Sequence, residues 1–83
     1  MRIDKFLKLS RIIKRRTVAN EACDSGKIIV NGKIAKSSLN LNIGDIIEIK
    51  FKNQTMKIKV VSLEEIVRKE NSAQMYQIID GGQ

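Results

Sequence analysis

The stretch Arg15-Arg16-Thr17-Val18-Ala19-Asn20-Glu21-Ala22-Cys23-Asp24-Ser25-Gly26-Lys27-Ile28-Ile29-Val30-Asn31-Gly32 decides the fold. Ala19, Ala22 and Cys23 fall at i, i+3 and i+4, so one face of a short helix is small and apolar, and Gly26 stands where a helix C-terminal glycine stops it. The apolar run Ile28 to Val30 then reads as a strand. Asn31-Gly32 supplies the left-handed dihedrals of a two-residue hairpin that returns the chain through Lys33, Ile34 and Ala35. A helix face lined by Ala and Cys lets another backbone come close, and the amphipathic segment before it is the candidate. Cys23 lies on that face and reads as a packed thiol.

Upstream, Arg2 to Ser10 has helical spacing, with Ile3, Phe6, Leu7 and Ser10 on one side and Arg2, Lys5 and Lys8 on the other. Asp4 is spaced to pair with Lys8 at i, i+4. Residues 11–16 join this helix to the next with four further cations, Arg11, Lys14, Arg15 and Arg16, and with Ile12 and Ile13 as an inward anchor. The second helix starts near Arg16 and Thr17. Its first N–H groups lack intrahelical partners and carry the positive end of the helix dipole, so this end accepts anions. The planar fork of Arg15 or Arg16 suits a phosphate there better than a lysine would.

Downstream, residues 36–42 are polar and irregular, with Leu39, Leu41 and Ile43 expected to tuck in, and Gly44-Asp45 signals a turn. Ile47, Ile49 and Phe51 alternate with Glu48, Lys50 and Lys52; Met56, Ile58 and Val60 alternate with Lys57 and Lys59. A two-residue loop at Asn53-Gln54 sets Phe51 opposite Met56, Ile49 opposite Ile58 and Ile47 opposite Val60, with Lys50 meeting Lys57 on the other face. Ser62-Leu63-Glu64-Glu65 resembles a capping box for a short helix to about Lys69, residues 70–72 read as a loop, and residues 73–79 as a helical turn followed by a strand.

With 83 residues and one cysteine, the chain is expected to form a single small domain without an internal disulfide, as suits a reducing cytosol. Its formal net charge of +7 points to a polyanion. The excess lies wholly in residues 1–36, while residues 37–83 are balanced, an asymmetry that a merely solvated surface does not require. With no His, no paired Cys and no glycine-rich phosphate loop, zinc sites, His-based acid–base chemistry and nucleotide loops lose their usual residues. No enzyme activity, metal or cofactor is expected. No apolar run approaches a membrane span, and the basic first helix is under three turns and lacks Trp, which disfavours a membrane-surface anchor.

Taken in order, Arg2-Ile3-Asp4-Lys5-Phe6-Leu7, Arg16 with Ala19 three positions on, Gly26, Val30-Asn31-Gly32-Lys33 and Gly44-Asp45 before a strand resemble the RNA-binding domain first described in ribosomal small-subunit protein four, the S-four domain. The resemblance spans about residues 1 to 51; the family usually has Ser before the helix-start Arg, where this chain has Arg15. It implies an α+β fold, two N-terminal helices packed on a small, mostly antiparallel sheet (the family's αL motif), with an S-four-like domain over residues 1–61 and a short C-terminal extension over 62–83.

Within the family, the Met1-to-Leu7 start, Ile12-Ile13-Lys14-Arg15-Arg16-Thr17 and the late Met75-Tyr76 are similar to stand-alone bacterial members of ribosome-associated quality control. That similarity implies a cytoplasmic, monomeric protein on a large ribosomal subunit obstructed by peptidyl-tRNA. It would touch rRNA and steady the tRNA during C-terminal tailing of the stalled chain by a partner factor. The bacterial heat-shock S-four protein is the runner-up, but it carries a long basic C-terminal extension and this tail is charge-balanced. The residues expected to meet RNA are Arg2, Lys5, Lys8, Arg11, Lys14, Arg15, Arg16, Asn20, Lys33 and Lys36.

The aromatics Phe6, Phe51 and Tyr76 are too few, and Phe6 and Phe51 too inward, for stacking of splayed bases, so structured RNA held by phosphate and shape suits the chain better. DNA reading is disfavoured because only Arg16 and Asn20 face out from the second helix. A protein-binding scaffold that uses the sheet is the alternative of a different class.

Overall fold

Gly26 ends the second helix as its position predicts. Its φ is +74°, and its N–H reaches Cys23 O at 3.0 Å while Lys27 N–H reaches Ala22 O at 3.0 Å, the paired bonds of a Schellman stop. In this computed structural model, residues 1–64, 72 and 74–80 are described. Helix α1 runs Ile3–Leu9 and α2 runs Arg16–Asp24; strands β1 (Ile28–Val30), β2 (Lys33–Ile34), β3 (Ile46–Lys50), β4 (Thr55–Val60) and β5 (Tyr76–Asp80) follow. The five strands form one antiparallel sheet in the order β2-β1-β3-β4-β5. No helix among the described residues is long and apolar enough to cross a membrane.

The core joins the helices to one face of the sheet. Ile3, Phe6 and Leu7 of α1 and Ala19 and Cys23 of α2 are buried with Ile28, Val30, Ile47, Ile49, Ile58 and Val60. Each large apolar side chain so buried contributes roughly 1.5–3 kcal/mol, which is what holds a chain of this size together. Cys23 is 3% exposed. Burial pushes its thiol up to about 11, with the charges of Asp4 and Asp24 adding to the effect, so it carries almost no thiolate at neutral pH. Met75 closes the core from the far end, and Val61 N–H bonds to its carbonyl at 2.9 Å. The C-terminal segment thus lends its strand β5 to the same sheet.

The loop before β3 caps α1. Neither helix has a side-chain N-cap, Arg2 and Arg15 occupying those positions. In α1 the free donors go elsewhere: Ile3 N–H to Leu39 O at 2.8 Å, Asp4 N–H to Ser37 O at 3.3 Å, and Lys5 N–H to the Asp4 carboxylate at 2.8 Å. Serving as a cap holds residues 37–39 at the surface. Of the three side chains expected to tuck in, only Leu41 does; Leu39 is 37% and Ile43 68% exposed.

The first hairpin matches its reading, with Val30 paired to Lys33 and both Asn31 (φ +50°) and Gly32 (φ +84°) left-handed. Asn31 also reaches across the sheet. Its side-chain oxygen accepts from Ile46 N–H at 3.0 Å and its amide donates to Asp45 at 3.1 Å, while Asp45 accepts from Asn42 N–H at 2.8 Å. This links the Asn-Gly hairpin to the Gly44-Asp45 turn, where Gly44 has φ +96°.

The second hairpin differs from its reading. Ile47 pairs with Ile58, Ile49 with Met56 and Lys50 with Thr55, two residues out of the expected register, and Phe51 to Gln54 form the loop, closed by Phe51 N–H to Gln54 O at 2.8 Å. A two-residue loop of the favoured type needs a positive φ within Asn53-Gln54, and neither residue adopts one. The observed register places Glu48 opposite Lys57, an attraction of about 0.2–1 kcal/mol in place of a Lys50–Lys57 repulsion of similar size. A two-residue shift keeps every side chain on its face, so the core survives; Phe51 alone slips off the end, 38% exposed. The expected helix to Lys69 lies largely outside the described residues.

Candidate nucleic-acid interface

The site begins with Asp4, which is 2% exposed. Arg2 Nη2 donates to its Oδ2 at 3.1 Å, Arg16 Nη2 lies 3.3 Å from Oδ1, Asn20 Nδ2 donates to Oδ2 at 3.4 Å, and Lys5 N–H donates to Oδ1 at 2.8 Å. Helix spacing explains the convergence: Arg16 and Asn20 are i, i+4 on α2 and turn the same face toward α1. Burial alone would push the Asp4 carboxyl up; the Arg16 hydrogen bond and charge, the Lys5 amide and the Arg2 charge outweigh it and hold the group below its usual value. The expected Asp4–Lys8 surface pair is therefore replaced by a buried carboxylate clamped between two helices. Asn20, read as outward, is half-buried and bonded to it.

Both arginine side chains stay nearly half exposed, 46% for Arg2 and 47% for Arg16. They rim an open hollow of about 460 Å³ lined by Arg2, Asp4, Arg16, Thr17, Asn20 and Glu21. A second hollow, of about 510 Å³, is lined by Lys8, Leu9, Arg11 and Lys14 at the corner between the helices. Lys33 and Lys36 line a third beside the first hairpin, with Asn31, Asn40 and Asp45 among its walls. Arg15 is exposed at the α2 N-cap, and Lys5 is half-buried on α1. The ten candidate residues thus fall into two hollows at the helices, the first of which also holds Asp4 and Glu21, a third by the hairpin, and two residues that line none of these.

A family model described as the S4 domain matches residues 1–47. The chain belongs to that family. The RQC P-site tRNA stabilizing factor of Streptococcus pneumoniae is 53% identical to this S4 chain over 79 residues, covering 95% of the chain and 90% of that protein. The protein of the same name from Bacillus subtilis is 44% identical over 79 residues, covering 95% and 92%. Among solved structures, heat shock protein 15 of Vibrio cholerae, described as trimeric, superposes with a TM-score of 0.87 at 28% identity over 94% of this chain and 80% of that one.

The S4 match contains all ten candidate residues and Asp4, the one the sequence reading missed as a member of the site. Its signal was present: Asp4 precedes Leu7 by three residues and so borders the apolar stripe of α1. Arg11 carries a second signal. It follows α1 at the position where a left-handed residue ends a helix, with φ +63° and its N–H on Lys8 O at 3.1 Å. Glycine takes that conformation without the steric cost an arginine bears. Arg11→Gly is expected to raise stability by about 0.5–1 kcal/mol in thermal melts while removing a charge from the second hollow.

Proposed function

We propose that this S4 chain is a non-catalytic, cytoplasmic RNA-binding factor that associates as a monomer with large ribosomal subunits obstructed by peptidyl-tRNA. There it steadies the tRNA while a partner factor extends the stalled chain at its C-terminus. The observation that carries the reading is the pair of arginines, one from the start of each helix, presented side by side at an open hollow. Arg2 and Arg16 would take phosphate oxygens of structured RNA with the N–H groups that Asp4 does not use. Lys8, Arg11 and Lys14 would follow the backbone around the helix corner, with Arg15 and Lys5 beside them, and Lys33 and Lys36 would extend the grip along the hairpin. The names of the relatives support the P-site tRNA as one of the two RNA partners, with rRNA as the other.

The test is sedimentation with purified large subunits, either empty or carrying peptidyl-tRNA. Co-sedimentation is expected with the loaded subunits and much less with the empty ones. Equal binding to both would remove the tRNA from the reading, and binding to neither would remove the ribosome.

A further inference from the structure

We infer that Asp4 is a positioning residue of the RNA face: its buried carboxylate fixes the Arg2 and Arg16 guanidiniums as one preformed grip for the phosphodiester backbone of structured RNA. The inference rests on the reading that these two arginines meet RNA. Arg2 precedes α1 and Arg16 opens α2, and each is a long side chain with many rotamers. Left alone, the two like charges would repel and each would lose much freedom on binding; a shared carboxylate cancels the repulsion and removes that freedom beforehand. Among the described residues each guanidinium meets Asp4 through Nη2 and no other acceptor, so the rest of each fork remains for an outside one. Asn20 and the Lys5 N–H occupy further positions on the carboxylate, which holds it in place while the arginines hold the ligand.

Charge alone makes the opposite prediction. An acid beneath a cationic surface lowers its field, so neutralising it should strengthen binding to any polyanion. Positioning predicts that the same change weakens binding although the protein becomes more positive. The experiment measures affinity for large subunits carrying peptidyl-tRNA in wild type, Asp4→Asn, Arg16→Ala, the double variant and Arg16→Lys, at a temperature where melts show each to be folded. Arg16→Lys keeps the charge but lacks the fork that can hold Asp4 and a phosphate at once, and its exposed position tolerates the change.

Asp4→Asn is expected to bind several-fold more weakly than wild type, Arg16→Lys likewise, and the double variant to lose less than the product of the two single losses, because with Arg16 gone the carboxylate has only Arg2 left to position. Tighter or unchanged binding by Asp4→Asn would overturn the inference, as would losses that simply multiply in the double variant. Should Arg16→Ala itself bind like wild type, the RNA face is elsewhere and Asp4 has no part in it. Loss in Arg16→Ala with none in Asp4→Asn would leave the RNA face standing and remove only the positioning role.

Discussion

Arg16→Ala is expected to lower the melting temperature as well as RNA affinity, although the side chain is 47% exposed. On sequence alone Arg2 falls on the polar side of the first helix and Arg16 at the anion-accepting start of the second, with no part in holding the fold. The structure makes them counterions of a carboxylate that is 2% exposed. Loss of a hydrogen bond to a charged group costs about 1.5–3 kcal/mol. Solvent screening of a half-exposed arginine reduces that to roughly 1–2 kcal/mol, or about 5–15 °C in a domain of this size.

The acid limb of stability moves too. Asp4 is held below its ordinary value, so its contribution is present above about pH 4 and lost as pH falls through the lower native value. Without Arg16 the upward push of burial meets weaker opposition, so the native value rises toward the unfolded one, the contribution shrinks, and stability falls less steeply below about pH 4. Melts of wild type and Arg16→Ala between pH 3 and pH 7 check this; superimposable profiles would mean that Asp4 does not depend on Arg16. Arg2→Ala should shift the same way by less, since Arg2 contributes less than Arg16 to holding Asp4 ionised.

Salt should have the larger effect on binding. Each phosphate neutralised by Lys or Arg releases a counterion, so affinity falls as a power of salt concentration set by the number of such contacts. If the cations of the three hollows supply five or six contacts, raising monovalent salt from about 50 to 200 mM at fixed magnesium should weaken binding to loaded large subunits by roughly 10²- to 10³-fold. Lys59→Ala, on β4 away from the hollows, should leave that slope unchanged, whereas Lys8→Ala or Lys14→Ala should each lower it by about one contact. An affinity that stays flat over this range would favour a protein-binding scaffold.

The parts of the fold that were legible from sequence are those in which one residue type has one conformation available. Gly26, Asn31 and Gly32 required left-handed backbone, and the strands beside them followed. The face of α1 was legible because Ile3, Phe6 and Leu7 repeat at helical spacing. The β3–β4 register was not, because a two-residue shift conserves every inward side chain and only the loop dihedrals decide it. Leu39 and Ile43 misled because capping α1 claims the backbone around Leu39 and leaves its side chain at the surface. Asp4 was misread for a related reason: helical spacing pairs it with Lys8 at i, i+4, while the side chains that hold it come from outside α1, at Arg2, Arg16 and Asn20. The basic half of the chain was plain from charge alone, but its division into hollows depends on how the two helices cross.

The sheet order β2-β1-β3-β4-β5 has a consequence for the speed of folding. Every pairing joins strands adjacent in sequence except β1 with β3, which skips only the short β2, so no distant segments must meet before the sheet can grow. The chain also contains no proline, so no peptide bond has to wait for slow isomerisation. The longest closures are β1 to β3, across residues 31–45, and β4 to β5, across residues 61–75, and the second brings Met75 over the end of the core. A chain released from synthesis can therefore assemble its basic helical face and first hairpins quickly, with that last strand as the step that completes it.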